Sequence, residues 1–310
     1  MLRIQRNILL KNHTTFKIGG PAEYFSAIRS REDLVYAINF AKKNKLDIIV
    51  LGEGSNLLVS DKGFWGLAVK MKNTAMKAEK NEVFAQAGAS LEDFVDFCKN
   101  NNFSGMEWAG GIPGTVGGAI YGNAQAFGAK ISDCLKSVEA LDIKTSKFRN
   151  FSKKQCRFLL KNSIFKASKN LIIVSALFQL PKGDKKEIEK KIKEYLDYRK
   201  SRHPLNFPSA GSVFVNPEIK IKNKSLLEKF PELNDFNKRG SIHAGYLIEK
   251  AGLKGKKIGK AQISERHANF IINKGGARAR DVEGLIKLAR KKVKKIFGIE
   301  LAEEIQQIGF

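Results

Sequence analysis

The chain has 310 residues, 43% of them hydrophobic and 28% charged, with a formal net charge of +25 at pH 7. That length and apolar fraction are those of a globular protein with cores for two or three domains. The charge admits nucleic acid, an anionic membrane surface or anionic small molecules as partners. Lys and Arg are spread along the whole chain, however, without the interleaved aromatics of an RNA-binding surface, so most of the charge reads as solvated helix faces. Cys98, Cys134 and Cys156 form no C-x-x-C pair and have no histidine at ligand spacing. Zinc is therefore not expected, and no metal is assigned. The sparse, odd cysteine count fits a reducing compartment. Met1 to Leu10 is too short and polar for a signal peptide, and no apolar run approaches the roughly 18 residues of a membrane span. A cytoplasmic protein is expected.

Residues 12–29 read as a loop and a short strand, with a turn at Gly19-Gly20-Pro21. Leu34, Ala37, Ile38 and Ala41 have the spacing of a helix over 31–45. Ile48-Ile49-Val50-Leu51 is a buried strand running into a glycine-rich loop, and Leu67-Ala68-Val69 is another strand. Val83-Phe84-Ala85 opens a second unit. A helix follows over 90–101, with Ser90 as N-cap and Leu91, Phe94, Val95 and Cys98 on one face. Residues 136–143 and 171–180 read as strands. The next helix covers about 184–201, with Ile188, Ile192, Tyr195 and Leu196 inward. His203-Pro204 and Phe207-Pro208 mark a boundary. Beyond it come a helix over 244–251, a strand at Phe270-Ile271-Ile272 and a long helix over 281–297. The basic residues Arg290, Lys291, Lys294 and Lys295 of that last helix make it a weak candidate for reading DNA.

Two glycine-rich stretches carry the most information: Gly52-Glu53-Gly54-Ser55-Asn56-Leu57-Leu58 and Gly110-Gly111-Ile112-Pro113-Gly114-Thr115-Val116-Gly117-Gly118. Glycine lets backbone amides approach a ligand closely, and two such loops suggest a cradle for a pyrophosphate. Neither fits a common nucleotide motif. Ala119 and Ile120 stand where a Walker lysine would be, and Leu57 stands where the third glycine of a dinucleotide fingerprint would be.

Six motifs stand in order: Asn12 through Gly20; the loop at Gly52–Leu58; Gly110–Gly118 with Asn123-Ala124; Ser209-Ala210-Gly211-Ser212-Val213-Phe214 with Asn216-Pro217; His267 through Asn273; and Leu301-Ala302-Glu303-Glu304-Ile305. Together they resemble those of the UDP-N-acetylenolpyruvoylglucosamine reductase (MurB) family. The short span between Phe165 and Tyr195 resembles the shorter, second type of that family. The resemblance implies an α+β FAD-binding fold of the vanillyl-alcohol-oxidase (PCMH) type. Two FAD subdomains are expected at residues 1–72 and 73–202, a substrate domain at 203–300 and a C-terminal tail at 301–310. A monomer is expected, with no nucleic-acid or membrane partner.

The activity implied is an NADP-dependent reduction in peptidoglycan precursor synthesis, with noncovalent FAD as cofactor and NADPH as co-substrate. UDP-N-acetylglucosamine enolpyruvate becomes UDP-N-acetylmuramate, with hydride passing from flavin N5 to C3 and a proton to C2. By resemblance, FAD is held by Gly52, Gly54, Ser55, Asn56, Leu57, Gly110, Gly111, Ile112, Pro113, Gly114, Thr115, Gly117, Gly118 and Asn123. Ser212 matches the proton donor and Glu304 the C-terminal glutamate, with Glu303 the adjacent alternative. Arg202, Asn216, Lys254 and His267 match substrate-binding positions.

One position departs from the family. Leu160-Lys161-Asn162-Ser163 stands where the family carries Tyr-Arg-Asp-Ser. Lys161 keeps the positive charge of the arginine and loses its planar fork; Arg157, four residues earlier, is the alternative. That departure keeps a catalytically weakened relative in view, and the net charge alone keeps in view a basic polyanion-binding module.

Overall fold

A computed structural model describes residues 2–310. The chain opens with β1 (Gln5–Leu9), β2 (Pro21–Ile28), α1 (Arg31–Lys43), β3 (Ile48–Leu51), β4 (Leu57–Val59) and β5 (Phe64–Met71). It continues through β6 (Met76–Glu79), β7 (Glu82–Gln86), α2 (Leu91–Asn100), α3 (Val116–Tyr121), β8 (Gln125–Ala126) and β9 (Ala129–Lys130). Next come β10 (Leu135–Asp142), β11 (Lys147–Ser152), α4 (Ile164–Ala167), β12 (Leu171–Gln179) and α5 (Lys185–Arg202). The last part carries β13 (Ser209–Ser212), α6 (Lys224–Lys229), α7 (Leu233–Arg239), α8 (Ala244–Lys250), β14 (Lys257–Ile258), β15 (Ala261–Ile263), β16 (Phe270–Asn273), α9 (Ala279–Phe297) and β17 (Gln306–Ile308).

Two compact units form. The first collects the segment up to Ile8, Pro21–Gly54 and Phe64–Ser201; the second collects Leu9–Gly20, Ser55–Gly63 and Arg202–Phe310. Each has its own apolar core.

In the first unit, β5 lies between β2 and β3 and runs parallel to both. The connection from β2 to β3 is α1. Ser30 starts α1 because its hydroxyl accepts the amide of Asp33 at 3.1 Å. The apolar stripe Leu34, Ala37, Ile38 and Ala41 is buried, as its spacing predicts. The second sheet of this unit is antiparallel, in the order β11-β10-β12-β7-β6. Helix α2 is capped by Ser90 in the same way and buries Leu91, Phe94, Val95 and Cys98. Proline at the head of β2 needs no ladder donor there, so the strand begins at Pro21, inside the predicted turn.

The second unit is built on an antiparallel sheet in the order β13-β16-β15-β14. Helix α9 covers it with Val282, Leu285, Ile286, Ala289, Val293 and Phe297, a stripe at helical spacing. A separate pair joins chain segments far apart in sequence: β17 lies parallel to β4, with Gln306 opposite Leu57 and Ile308 opposite Val59.

Asn269 substitutes for a strand partner inside this unit. It is 3% exposed. Its Oδ1 accepts the Phe214 amide at 3.0 Å, its Nδ2 donates to the Phe214 carbonyl at 2.8 Å, and its own carbonyl accepts the Val213 amide at 2.8 Å. Asn269→Ala leaves a buried donor and a buried acceptor unpaired, so the expected loss of stability is about 2–4 kcal/mol. Chemical denaturation of wild type and variant checks it; a change under about 0.5 kcal/mol, the range of ordinary surface substitutions, contradicts the account.

Candidate active site

Ser212 ends β13, where the strand departs from regular pairing. Ser209 faces Ile272 and Ser212 faces Phe270, so two residues of β13, Ala210 and Gly211, stand against one of β16. This is a β-bulge, and Gly211 carries it with φ +74°. A side chain at Gly211 would meet no atom within 4 Å, so the backbone conformation, not crowding, requires glycine there. The bulge re-aims the strand at Ser212. The Thr15 hydroxyl donates to the Ser209 carbonyl at 2.7 Å and anchors the other end of the segment.

The C-terminal segment is laid directly beside it. The Glu304 amide donates to the Val213 carbonyl at 2.7 Å, and the Val215 amide donates to the Ala302 carbonyl at 2.9 Å. Asn56 holds the other side of Glu304: its Nδ2 donates to the Glu304 carbonyl at 3.0 Å, and its own carbonyl accepts the Gln306 amide at 2.9 Å. Residues 56, 212 and 304 are thus gathered in one unit. The two adjacent glutamates differ. The Glu303 carboxylate takes Arg290 at 3.2 Å on one oxygen and Gln307 at 2.6 Å on the other. Arg290 and Lys294 also pair with Glu300, so part of the basic face of α9 is already neutralised.

Three of the four predicted substrate-binding residues group around α8. The Asn216 Oδ1 accepts the amide of Ala244 at 3.0 Å and caps that helix. A side chain at Gly245 would lie 3.2 Å from His267 Cε1, so glycine lets the imidazole sit against the helix. Lys254 pairs with Glu249 at 3.2 Å. His267 Nδ1 accepts the Asn269 amide at 3.2 Å, which leaves the proton on Nε2 in the neutral ring. Its ring packs against His203 at 5.5 Å and Phe270 at 4.9 Å. Burial lowers its pKa first, with the charges of His243 and Lys254 adding in the same direction. Arg202, the fourth, is exposed at the end of α5.

In the first unit the two glycine loops lock together. The Gly114 amide donates to Glu53 Oε2 at 2.8 Å. A side chain at Gly52 would lie 2.5 Å from Thr115 Oγ1, so the backbone passes directly against that residue. Thr115 in turn caps α3, accepting the Gly118 amide at 3.2 Å. A side chain at Gly118 would meet only Thr115 Oγ1, at 3.4 Å, and one at Gly122 only the Gly118 carbonyl, at 3.7 Å. Protein packing therefore does not account for glycine at these two positions, and that face of α3 is open to a ligand. Two buried polar atoms beside this loop, Trp108 Nε1 and Asn123 Oδ1, have no hydrogen-bond partner among the described residues.

Asn123 ties the loop to the Lys161 turn. Its Nδ2 donates to the Leu159 carbonyl at 3.0 Å. Leu159 and Asn162 exchange backbone hydrogen bonds, so Leu160 and Lys161 form the tip of a two-residue turn, with Lys161 at φ +52°. The Lys161 carbonyl accepts Lys166 Nζ at 2.9 Å. Ser163 then caps α4 and donates from its hydroxyl to the Tyr121 carbonyl at 2.8 Å. The alternative residue, Arg157, is exposed at φ +47°.

Sequence reading passed over Arg199 and Glu53. Arg199 grips the second loop from α5 through the carbonyls of Gly110 and Trp108. Its helical spacing from Ile192 and Leu196, at i+7 and i+3, was the available signal. Burial disfavours the thiolate at all three cysteines, pushing the Cys98 thiol up to about 12 and the Cys156 thiol to about 11 and raising that of Cys134. Among the described residues no helix is long and apolar enough to cross a membrane.

Comparison with known proteins matches both parts of the chain. Residues 22–152 match the family described as "FAD binding domain", and residues 203–308 match "UDP-N-acetylenolpyruvoylglucosamine reductase, C-terminal domain". The UDP-N-acetylenolpyruvoylglucosamine reductase of Carboxydothermus hydrogenoformans is 41% identical over 308 residues, covering 99% of this chain and 94% of the relative. The protein of that name from Caldanaerobacter subterraneus subsp. tengcongensis is 38% identical over 308 residues, with the same coverage. The crystal structure of the Thermus caldophilus reductase superposes with a TM-score of 0.80 at 29% identity, covering 99% of this chain and 100% of that one. The α+β fold with an FAD-binding domain, implied by the sequence motifs, is borne out.

His267 and His243 make the second unit sensitive to acid. Burial lowers both pKa values below the ordinary 6.5, and Arg239 adds to the effect at His243. Below pH 6.5 the unfolded chain therefore takes up protons that the folded chain refuses, and stability present above that pH is lost as pH falls. The midpoint of urea unfolding is expected to fall between pH 7.5 and 5.5, and less steeply in His267→Gln. Identical slopes in variant and wild type contradict this assignment.

Proposed function

We infer the function from one premise: the chain belongs to the UDP-N-acetylenolpyruvoylglucosamine reductase family. It is accordingly a flavoprotein oxidoreductase of peptidoglycan synthesis with an FAD-binding domain. The finer reading is that this chain reduces UDP-N-acetylglucosamine enolpyruvate to UDP-N-acetylmuramate with NADPH as the source of electrons, as a cytoplasmic monomer. The observation that supports it is the Glu304–Val213 backbone hydrogen bond, which lays the segment carrying Glu304 beside the segment carrying Ser212 across some ninety residues of chain.

The residues present fit FAD. Open glycine positions at Gly118 and Gly122, and the unpartnered Trp108 Nε1 and Asn123 Oδ1, favour a polar ligand lying along the second loop. Gly52, Gly54, Ser55, Asn56, Leu57, Gly110, Gly111, Ile112, Pro113, Gly114, Thr115, Gly117, Gly118 and Asn123 would hold it noncovalently. When bound, FAD supplies the hydride transfer between NADPH and the enol ether.

The chain's own side chains then have three tasks. The Ser212 hydroxyl gives its proton to C2 of the enolpyruvyl group. Glu304 hydrogen-bonds the developing enolate, with Glu303 the adjacent alternative. Lys161 pairs with the substrate carboxylate and offsets the charge that accumulates there. Asn216, Lys254, His267 and Arg202 bind the uridine-diphosphate part of the substrate.

Ser212→Ala is expected to spare reduction and block product formation. NADPH still bleaches the flavin absorbance, and added enolpyruvyl substrate no longer restores it; rapid restoration removes Ser212 from the chemistry.

Lys161→Met removes a charge-assisted contact of roughly 1.5–3 kcal/mol, about tenfold to a hundredfold in turnover when it acts mainly in the transition state. Lys161→Arg keeps or raises the rate. If Lys161→Met is silent and Arg157→Met severe, in steady-state NADPH oxidation, the role belongs to Arg157.

A further inference from the structure

The second glycine loop opens on a turn whose form is chosen by a side chain nearly ninety residues away. The Ile112 amide donates to the Ala109 carbonyl at 3.0 Å and closes a four-residue turn. Gly110 has φ −53° and ψ 126°, and Gly111 has φ +74°, the geometry of a type II turn. A type I turn over the same residues differs by a rotation of the central peptide of about 180°, and glycine at the third position accepts either. Local sequence therefore leaves the orientation of that peptide open.

Arg199 removes the freedom. Its Nε donates to the Gly110 carbonyl at 2.9 Å, and its Nη2 donates to the Trp108 carbonyl at 3.0 Å. The C=O and N–H of a trans peptide point in opposite directions. With the Gly110 carbonyl on Arg199, the Gly111 N–H is turned to the far side of the loop. That amide makes no hydrogen bond to the described residues.

The surroundings fit a dedicated role. Arg199 is 8% exposed and has no carboxylate partner among the described residues. Its guanidinium lies 5.1 Å from the Phe127 ring centroid, and Phe127 stacks on Tyr195 at 4.3 Å. Ile192 and Leu196 of the same helix pack directly on Gly110 and Gly111, where added side chains would lie 3.3 Å and 2.7 Å from them. A buried cation without a counter-charge is costly. Here its partners are two backbone carbonyls of one turn.

We propose that Arg199 is a positioning residue of the flavin site, locking the Ala109–Ile112 turn in its type II form so that the Gly111 N–H meets an oxygen acceptor of the bound flavin nucleotide. The inference rests on the FAD reading above. The acceptor is either a pyrophosphate oxygen or a carbonyl of the isoalloxazine ring; the chemistry of the contact is the same.

The test uses the full chain stripped of flavin and titrated with FAD, ADP and riboflavin. A turn that flips freely presents the amide only part of the time, and affinity falls by that fraction, so Arg199→Met is expected to bind FAD at least about tenfold more weakly. Arg199→Lys, whose ammonium lacks the planar fork that spans both carbonyls, is expected to fall between. Of the two fragments, only the one carrying the acceptor weakens: ADP for a pyrophosphate oxygen, riboflavin for a ring carbonyl. In wild-type protein labelled with 15N-glycine, the Gly111 amide resonance moves downfield when FAD is added. Equal FAD affinity in wild type and Arg199→Met overturns the proposal, as does parallel weakening of both fragments, which is the mark of a general loosening. A Gly111 resonance that FAD leaves in place overturns it without recourse to any variant. Wild-type protein that takes up no FAD ends the flavin reading itself.

Discussion

Asn56 is the residue on which the order of the second unit turns. One side chain and one carbonyl bind Glu304 and Gln306, so Gln306–Ile308 are set in register against β4 before any apolar contact is considered. A β-ladder alternates sides, and a slip of one residue would exchange Glu303 for Glu304. The double contact to Asn56 fixes the register from one side, and the Glu304–Val213 bond fixes it from the other. Two adjacent glutamates thereby acquire different surroundings: Glu303 is held by Arg290 and Gln307, and Glu304 has its backbone bound between β13 and Asn56.

The first unit solves a different problem, that of holding a loop with few side chains of its own. Glycine-rich backbone has much conformational entropy to lose and little surface with which to offset it. The loop at 110–118 is therefore held from outside. Glu53 takes the Gly114 amide and Arg199 takes two carbonyls, while Thr115, within the loop, caps α3. Each of these contacts is a hydrogen bond to backbone, which fixes peptide orientation and leaves the glycine face at Gly118 and Gly122 uncovered. Rigid support on one side and open backbone on the other is the arrangement required where a ligand is recognised by amides.

Pairing of segments distant in sequence also explains the chain's unusual partition. Residues 9–20 and 55–63 belong with the C-terminal unit although both are flanked by residues of the first. The Thr15 hydroxyl on the Ser209 carbonyl and the Asn273 amide on the Phe16 carbonyl hold the former, and β17 and Asp61, which accepts the Ala279 amide at 2.9 Å, hold the latter.

Periodicity by itself marked α1, α2, α5, α8 and α9, whereas α3, α4, α6 and α7 are too short to show a clear repeat. Buried stripes at Leu34–Ala41, Leu91–Cys98 and Val282–Phe297 are visible because a helix repeats every 3.6 residues and the core selects one face. Serine caps at Ser30 and Ser90 are equally local. The motifs identified the family and, through it, the candidate site residues. The three-residue strands β4 and β17 were invisible, since three residues show no period and their partners are nearly 250 positions apart. Long separation, from 55 to 248 residues, likewise concealed the roles of Asn269, Arg199 and Asn56. Each is a polar side chain whose importance lies in a backbone group it satisfies elsewhere in the chain, and sequence spacing records the side chain but not the peptide it will meet. Composition and local pattern fixed what each segment is. Only tertiary structure decided which carbonyl faces Arg199, which glutamate lies beside Val213, and where the bulge at Gly211 aims Ser212, because long-range hydrogen bonds are made by geometry that no single segment contains.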